Sequence, residues 1–193
     1  MKNKKTFFII ALVFVLLIGG ATVLYRQLGK NIAAEQLATQ STNQSDESAA
    51  GETEQKIKAP DFTVYDADGN EVHLADYIGK PIVLNFWASW CGPCQSEMPD
   101  FHEKYLELGD DVHFLMINMT DGARETVESA SAFIAKNGYA FPVFYDTKSD
   151  AASIYGAYSL PTTFFIDAGG YAIAQATGAI DAETLQRGLD MIK

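Results

Sequence analysis

Two cysteines are the residues of this 193-residue chain whose type and spacing most clearly indicate chemistry. They lie in the segment Trp90-Cys91-Gly92-Pro93-Cys94, and the chain has no third cysteine. Two intervening residues let Cys94 reach back to Cys91 and close a small ring, so the pair can cycle between dithiol and disulfide. A purely structural disulfide is a poor alternative, because so short a loop removes little entropy from the unfolded chain.

The elements on either side of the cysteines favour a reactive thiolate. Pro81 to Trp87 is a nearly continuous apolar run that predicts a buried strand. After it, apolar residues recur with the period of a helix, at Cys94, Met98, Phe101, Tyr105 and Leu108. Cys91 therefore lies at a helix N-terminus, where unpaired N–H groups and a partial positive charge lower a thiol pKa from about 8.5 toward 7. Pro93 suits the first helical turn, where its missing N–H would have no partner.

Two other uses of the cysteines fit less well. A metal site would need two more ligands, and His73, His102 and His113 show no ligand spacing. A peroxidase of the peroxiredoxin type would need the pattern P-x-x-x-[ST]-x-x-C, but Leu84 and Ala88 occupy the positions of the proline and the hydroxyl. We therefore expect neither a metal nor a cofactor.

The rest of the chain from residue 57 predicts an α/β domain with a mixed sheet covered by helices on both faces. Further helices are expected near 125–136 and 149–155, and a last one after an Asp181 cap. Strands are expected at 62–66, 70–74, 81–87, 112–118, 142–145, 162–167 and 171–176.

The net charge of −11 is unevenly distributed over three segments. Residues 1–25 carry +3, residues 26–56 carry −2 and residues 57–193 carry −12. So acidic a domain argues against a nucleic-acid partner, because duplex binding depends on Lys and Arg neutralising phosphates.

The N-terminal segments predict attachment to a membrane. Residues 6–25 contain no charged side chain and would reach roughly 30 Å as a helix, the thickness of a bilayer's hydrocarbon core. Three lysines precede this span, so residues 1–5 are expected in the cytoplasm and the domain at 57–193 outside it, in a single-pass cell-membrane protein. A cleaved signal peptide is the alternative, and it would give a secreted form. Residues 26–56 are polar and predict a flexible linker.

Two motifs together resemble a known family. The run N-F-W-A-S-W-C-G-P-C-x-x-E-M-P (85–99) and the later L-P-T-T-F-F-I-D (160–167) are similar to the membrane-anchored thiol-disulfide oxidoreductases of the ResA/TlpA type, in the thioredoxin superfamily. The resemblance covers residues 57–193 and implies a thioredoxin fold. It also implies an added N-terminal β-hairpin and a helical insertion at 125–150.

The resemblance assigns roles to further residues. Pro161 matches the family's cis-proline, which would leave the backbone of Leu160 free to pair with an extended substrate segment. Trp90, Gly92 and Pro93 match the residues that support the reactive pair. Asn85 stands where cytoplasmic thioredoxins have a buried Asp that serves the second cysteine.

Glu97 is expected to replace that Asp as the acid/base for Cys94. It is also expected in the first helical turn, where an acid would be favourable through the helix dipole alone.

The expected activity is dithiol-disulfide exchange, in which Cys91 attacks a client disulfide and Cys94 resolves the mixed disulfide. The G-P dipeptide favours reduction, and the resemblance implies a membrane electron donor of the CcdA type. Its implied clients are apocytochrome c or oxidised exported enzymes. An oxidase that forms disulfides in exported proteins and a non-catalytic module that binds peptide or metal remain alternatives.

Overall fold

The computed structural model describes residues 37–39 and 56–193, and this part of the chain is built on one mixed β-sheet. Its strands are β1 (Leu37–Thr39), β2 (Ile57–Lys58), β3 (Thr63–Tyr65), β4 (Glu71–His73), β5 (Ile82–Trp87), β6 (His113–Asn118), β7 (Val143–Tyr145), β8 (Thr162–Ile166) and β9 (Tyr171–Thr177). They are hydrogen-bonded in the order β1-β9-β8-β5-β6-β7-β3-β4, and β2 also pairs with β9.

The helices cover both faces of this sheet. They are α1 (Gly92–Leu108), α2 (Val127–Asn137), α3 (Asp150–Tyr155) and α4 (Ala182–Ile192), with a 3-10 helix at Leu74–Tyr77. Buried side chains of α1, α2 and α4 share one hydrophobic cluster, and those of α3 and the 3-10 helix share the other. The cysteine pair belongs to the first cluster.

Strand β5 is central because all six of its residues are buried. It runs parallel to β6 and antiparallel to β8. Its side chains alternate between the two faces, as the period of a strand requires. Val83 and Trp87 pack into the cluster of α1, whereas Ile82, Leu84 and Phe86 pack into the other. Cys91 therefore follows the end of a strand that is anchored in the core.

The predicted architecture is confirmed in its main features. The sheet is mixed and carries helices on both faces, the added hairpin is β3–β4, and the predicted insertion contains α2 and β7. The hairpin joins the sheet where Tyr65 of β3 pairs with Tyr145 of β7. Asp181 caps α4 as expected, since its carboxylate accepts a hydrogen bond from the backbone N–H of Thr184 at 2.9 Å.

The segment predicted as a linker contains a strand that the sequence did not predict. Leu37, Ala38 and Thr39 pair antiparallel with Ala176, Gln175 and Ala174 of β9. Because the strand has only three residues, local sequence carries little signal for it, and its pairing depends on an edge formed far along the chain. The predicted linker (26–56) thus includes a described strand at 37–39, and because most of its other residues lie outside the described part, its bounds stay a prediction.

The predicted cytoplasmic end (1–5) and membrane-spanning segment (6–25) also lie outside the described residues and stay predictions. Among the helices that the structure does describe, none is long and apolar enough to cross a membrane.

Candidate active site

The two cysteines form a disulfide at the junction of β5 and α1. Cys91 is the N-cap residue of α1, and its Sγ accepts a hydrogen bond from the backbone N–H of Cys94 at 3.2 Å. After reduction this same N–H and the positive end of the helix would face the sulfur of Cys91, which favours its thiolate. Cys94 is fully buried, whereas Cys91 keeps a small exposed surface. Cys91 is thus the more accessible sulfur of the pair.

A groove of about 560 Å³ opens beside Cys91. It is lined by Trp90, Cys91, Gly92, Pro93, Met119, Asp121, Arg124, Ala157, Tyr158 and Leu160. Most of this lining is apolar, and Trp90 and Tyr158 are 41% and 84% exposed. Exposed aromatic side chains around a reactive group are typical of a surface that binds another protein.

The predicted cis peptide bond between Leu160 and Pro161 is confirmed. The carbonyl of Pro161 accepts a hydrogen bond from the N–H of Gly178 at 2.8 Å. Within the described residues, by contrast, no backbone hydrogen bond engages Leu160. Leu160 also lines the groove beside Cys91. Its free N–H and C=O are therefore placed to pair with an extended segment in that groove.

Glu97 is buried behind the cysteine pair, with only 2% of its surface exposed. Its Oε1 accepts a hydrogen bond from Asn85 Nδ2 at 2.8 Å, and its Oε2 accepts one from the backbone N–H of Ile180 at 3.0 Å. Burial raises the pKa of Glu97 to about 7, although the two hydrogen bonds act in the opposite direction. This carboxyl group can therefore gain or lose a proton near neutral pH.

The expectation that Glu97 lies in the first turn of the helix was wrong. The helix begins at Gly92, so Glu97 lies in the second turn, and the first turn contains no acidic residue. The helix dipole is thus not the reason for an acid here. Glu97 and Cys94 are three residues apart and both face the core, where helical geometry places such side chains roughly 5–6 Å apart at Cβ.

Asn85 links Glu97 to the strand that follows the cis-proline. Its Nδ2 donates to Glu97 and also to Thr163 Oγ1, at 3.0 Å. Its Oδ1 is buried and has no hydrogen-bond partner in the described part of the chain. The amide thus orients both of its donors toward oxygen acceptors and supports the position of the carboxylate.

A second buried carboxylate, Glu125, holds the backbone just before the cysteines. Its Oε1 accepts hydrogen bonds from the N–H of Ser89 at 2.8 Å and from Asn118 Nδ2 at 2.7 Å. Its Oε2 accepts one from Ser89 Oγ at 2.7 Å. The carbonyl of Ser89 accepts a further bond from Gln95 Nε2 at 2.6 Å. Every polar group of Ser89 is therefore fixed, two residues before Cys91.

The sequence analysis did not identify Glu125 or Ser89 as parts of the site. One signal was available, because Ser89 follows β5 and the loop before Glu125 follows β6. These strands are parallel neighbours, and the carboxyl ends of neighbouring parallel strands meet at the same edge of a sheet.

The same loop contacts Trp90. The guanidinium carbon of Arg124 lies 3.6 Å from the centroid of the Trp90 ring, a close cation–π stack. Sequence reasoning did not single out Arg124, because the contact joins residues of two different loops.

The site holds two sulfurs that can exchange bonds, one accessible and one buried, with a buried carboxyl group behind them. Within the part of the chain that the structure describes, no cluster of three or more His, Cys, Asp or Glu side chains could hold a metal ion. Fold and site together define a thiol-disulfide oxidoreductase with a thioredoxin fold.

Comparison with known proteins identifies the family. The AhpC/TSA family model matches residues 56–173. The thiol-disulfide oxidoreductase ResA of Geobacillus thermodenitrificans is 37% identical over 136 residues, which is 70% of this chain and 76% of that protein. The chain belongs to the ResA-type thiol-disulfide oxidoreductases within the AhpC/TSA family.

Solved structures agree with this assignment. A DsbF homologue from Corynebacterium diphtheriae superimposes with a TM-score of 0.64 at 27% identity, covering 79% of this chain and 98% of that one. StoA from Bacillus subtilis gives a TM-score of 0.58 at 26% identity, covering 67% and 96%. The predicted thioredoxin fold is thereby confirmed, whereas the roles assigned to Glu97, Asn85, Leu160 and Pro161 stay predictions.

Proposed function

We propose that the chain works as a reductase for disulfides of exported client proteins. The observation that carries this proposal is the buried Glu97, one helical turn after the buried Cys94. A carboxylate charge in this low-dielectric position disfavours a second negative charge on Cys94. Because the Cys94 thiolate is not stabilised, the reduced form gives its electrons away more readily than that of a strong oxidant, which stabilises its reduced form.

The first step is attack by the Cys91 thiolate on one sulfur of the client's disulfide. A bond forms between Cys91 Sγ and that sulfur, the client's S–S bond breaks, and the other client sulfur leaves as a thiolate that takes a proton from water. The N–H of Cys94 and the N-terminus of α1 keep Cys91 in the reactive form. The free backbone of Leu160 holds the client segment in an extended conformation.

The second step resolves the mixed disulfide. The Cys94 thiol passes its proton to the Glu97 carboxylate, and the resulting thiolate attacks Cys91 Sγ. The Cys91–Cys94 bond forms as the second client sulfur leaves and takes a proton. Two electrons have then passed from the protein to the client. A pKa of about 7 suits Glu97 to this transfer, because the group is partly ionised at neutral pH.

The proposal includes a cellular setting. Residues 6–25 would anchor the domain outside the cytoplasm, where no soluble pool recharges a reductase. A membrane electron donor of the CcdA type would return the pair to the dithiol form. Apocytochrome c and oxidised exported enzymes are the proposed clients. These assignments come from the predicted anchor and from the resemblance to ResA-type proteins.

A trapping experiment tests the exchange. Full chain carrying Cys94→Ser, expressed in the cell, should accumulate mixed disulfides through Cys91 that dithiothreitol releases, and the trapped clients can be identified. A chain with both cysteines changed to serine is the matched control and should trap nothing. Failure of Cys94→Ser to trap any protein would contradict client exchange.

The redox state of the trapped clients then tests the direction. In cells that lack this protein, the clients of a reductase should accumulate as disulfides. Clients that accumulate as free thiols would instead support the oxidase.

A further inference from the structure

We propose that Arg124 determines client specificity by binding a carboxylate of the client segment close to the cysteine that Cys91 attacks. This inference rests on the proposed function and adds a substrate class to it. Arg124 lines the groove beside Cys91, and it is the only Lys or Arg among the described residues of that lining.

Stacking holds the charge of Arg124 at the edge of the active site. Its guanidinium carbon lies 3.6 Å from the centroid of the Trp90 ring, and Trp90 directly precedes Cys91. A guanidinium that stacks on an aromatic face keeps its N–H groups directed outward in its own plane. Those N–H groups form a fork that matches the two oxygens of a carboxylate.

Among the described residues the guanidinium forms no ion pair within 4 Å and no side-chain hydrogen bond, although its charge helps to lower the pKa of Asp121 in the same loop. Two other cations of the domain form ion pairs. Lys104 pairs with Glu107 at 2.8 Å, and Arg187 pairs with Glu183 at 3.5 Å. Arg124 therefore offers donors to the groove that the protein itself does not use.

The one carboxylate that lines the groove is already engaged. Asp121 Oδ1 accepts hydrogen bonds from the backbone N–H groups of Ala123, Arg124 and Glu125 at 2.8 to 2.9 Å. These bonds, led by that of Glu125, lower the pKa of Asp121, and the nearby charge of Arg124 adds to the effect, so the loop itself stabilises this carboxylate. The carboxylate of Asp121 thus shapes the loop that presents Arg124.

The occupant that fits is an extended peptide segment with an acidic side chain next to its cysteine. Its backbone would pair with Leu160, its apolar side chains would contact Tyr158 and Met119, and its carboxylate would reach Arg124. The domain's net charge of −12 does not prevent this contact. Charges more than about 8 Å away are largely screened at physiological salt. The acid inside the groove, Asp121, has its charge offset by three backbone N–H groups of its own loop and by Arg124.

The test uses the reduced full chain in non-ionic detergent and three short disulfide-linked peptides. The peptides are identical except that the residue beside the cysteine is Glu, Gln or Lys. A neighbouring charge also changes the reactivity of the peptide's own sulfur, so each rate constant is divided by that for dithiothreitol, an uncharged reductant, on the same peptide.

The wild-type chain should reduce the Glu peptide about three- to tenfold faster than the Gln peptide, with the Lys peptide slowest, as a partly exposed charge pair allows. Arg124→Gln should abolish the preference, and Arg124→Lys should retain only part of it. Lys136→Gln is the matched control, because Lys136 is an exposed cation that does not line the groove. It should leave the preference unchanged.

Two results would overturn the specificity while leaving the proposed function intact. One is a wild-type chain that reduces the three peptides at equal normalised rates. The other is an Arg124→Gln variant that slows all three by the same factor, which would mean that Arg124 acts only on Trp90 or Cys91. A wild-type chain that reduces none of the peptides would contradict the proposed function itself.

Discussion

The buried carboxyl group of Glu97 should make the stability of the oxidised protein depend on pH. Burial raises its pKa from 4.5 to about 7 in the folded protein. In the unfolded chain the group is solvated and returns to its ordinary value. Between about pH 4.5 and pH 7, Glu97 is therefore protonated in the folded protein but ionised in the unfolded chain.

The size of the effect follows from this shift. A difference of about 2.5 units corresponds to about 3 kcal/mol, at 1.36 kcal/mol per unit. Because the folded pKa is the higher one, the stabilisation is complete below about pH 4.5 and is lost as the pH rises through about 7. Glu97→Gln removes the titrating group, so the free energy of unfolding of the variant should lack this decrease.

Denaturant unfolding of the oxidised protein between about pH 4 and pH 8 measures this dependence. Between pH 4 and pH 8, the free energy of unfolding of Glu97→Gln should rise by about 3 kcal/mol relative to that of wild type. In addition, the free energy of unfolding of Glu97→Gln should be lower by about 1 kcal/mol at every pH. The glutamine has one oxygen in place of two, so its N–H₂ group must face one of the two N–H donors that bind Glu97. Glu103→Gln changes an exposed acid on the same helix and is the control. A difference between wild type and Glu97→Gln that stays constant from pH 4 to 8 would refute the reasoning.

Two further predictions concern the packing around the site. Glu125→Ala should lower the free energy of unfolding by about 2–4 kcal/mol, because the backbone N–H of Ser89 and the amide of Asn118 lose their acceptor. It should also change the rate at which Cys91 is alkylated in the reduced protein. Glu125→Gln keeps an oxygen at this position and is the control, and an unchanged alkylation rate in the alanine variant would contradict the positioning role. Gly188→Ala should lower the free energy of unfolding by about 1–3 kcal/mol or more, because its Cβ would clash with the Phe165 ring. Gly92→Ala meets no atom within 4 Å, so equal losses of denaturation midpoint in the two glycine variants would contradict this account.

Local patterns were sufficient to predict much of the fold. The apolar run ending at Trp87, the helical period after it and the Asp181 cap each depend on neighbours in sequence, and each appears in the structure. The cysteine pair could be identified as the candidate redox site for the same reason. Its spacing and its position between a strand and a helix are both local features.

The features that sequence reasoning missed depend on distant contacts. The carboxylate of Glu125 meets Ser89 only because β5 and β6 lie side by side. Strand β1 exists only because β9 offers an edge. The position of Glu97 was wrong by one turn although the helix start was predicted correctly, because the sixth residue after an N-cap at Cys91 already lies in the second turn at 3.6 residues per turn.

The central claim is that Cys91 and Cys94 form an exchange pair poised for reduction, and the reduction potential of the pair tests it most directly. Equilibration of the full chain with glutathione and dithiothreitol buffers, read by alkylation of the free thiols, gives this value. We expect a potential near that of thioredoxin, about −270 mV, at neutral pH. A potential well above about −200 mV, toward the oxidant DsbA at about −120 mV, would contradict it.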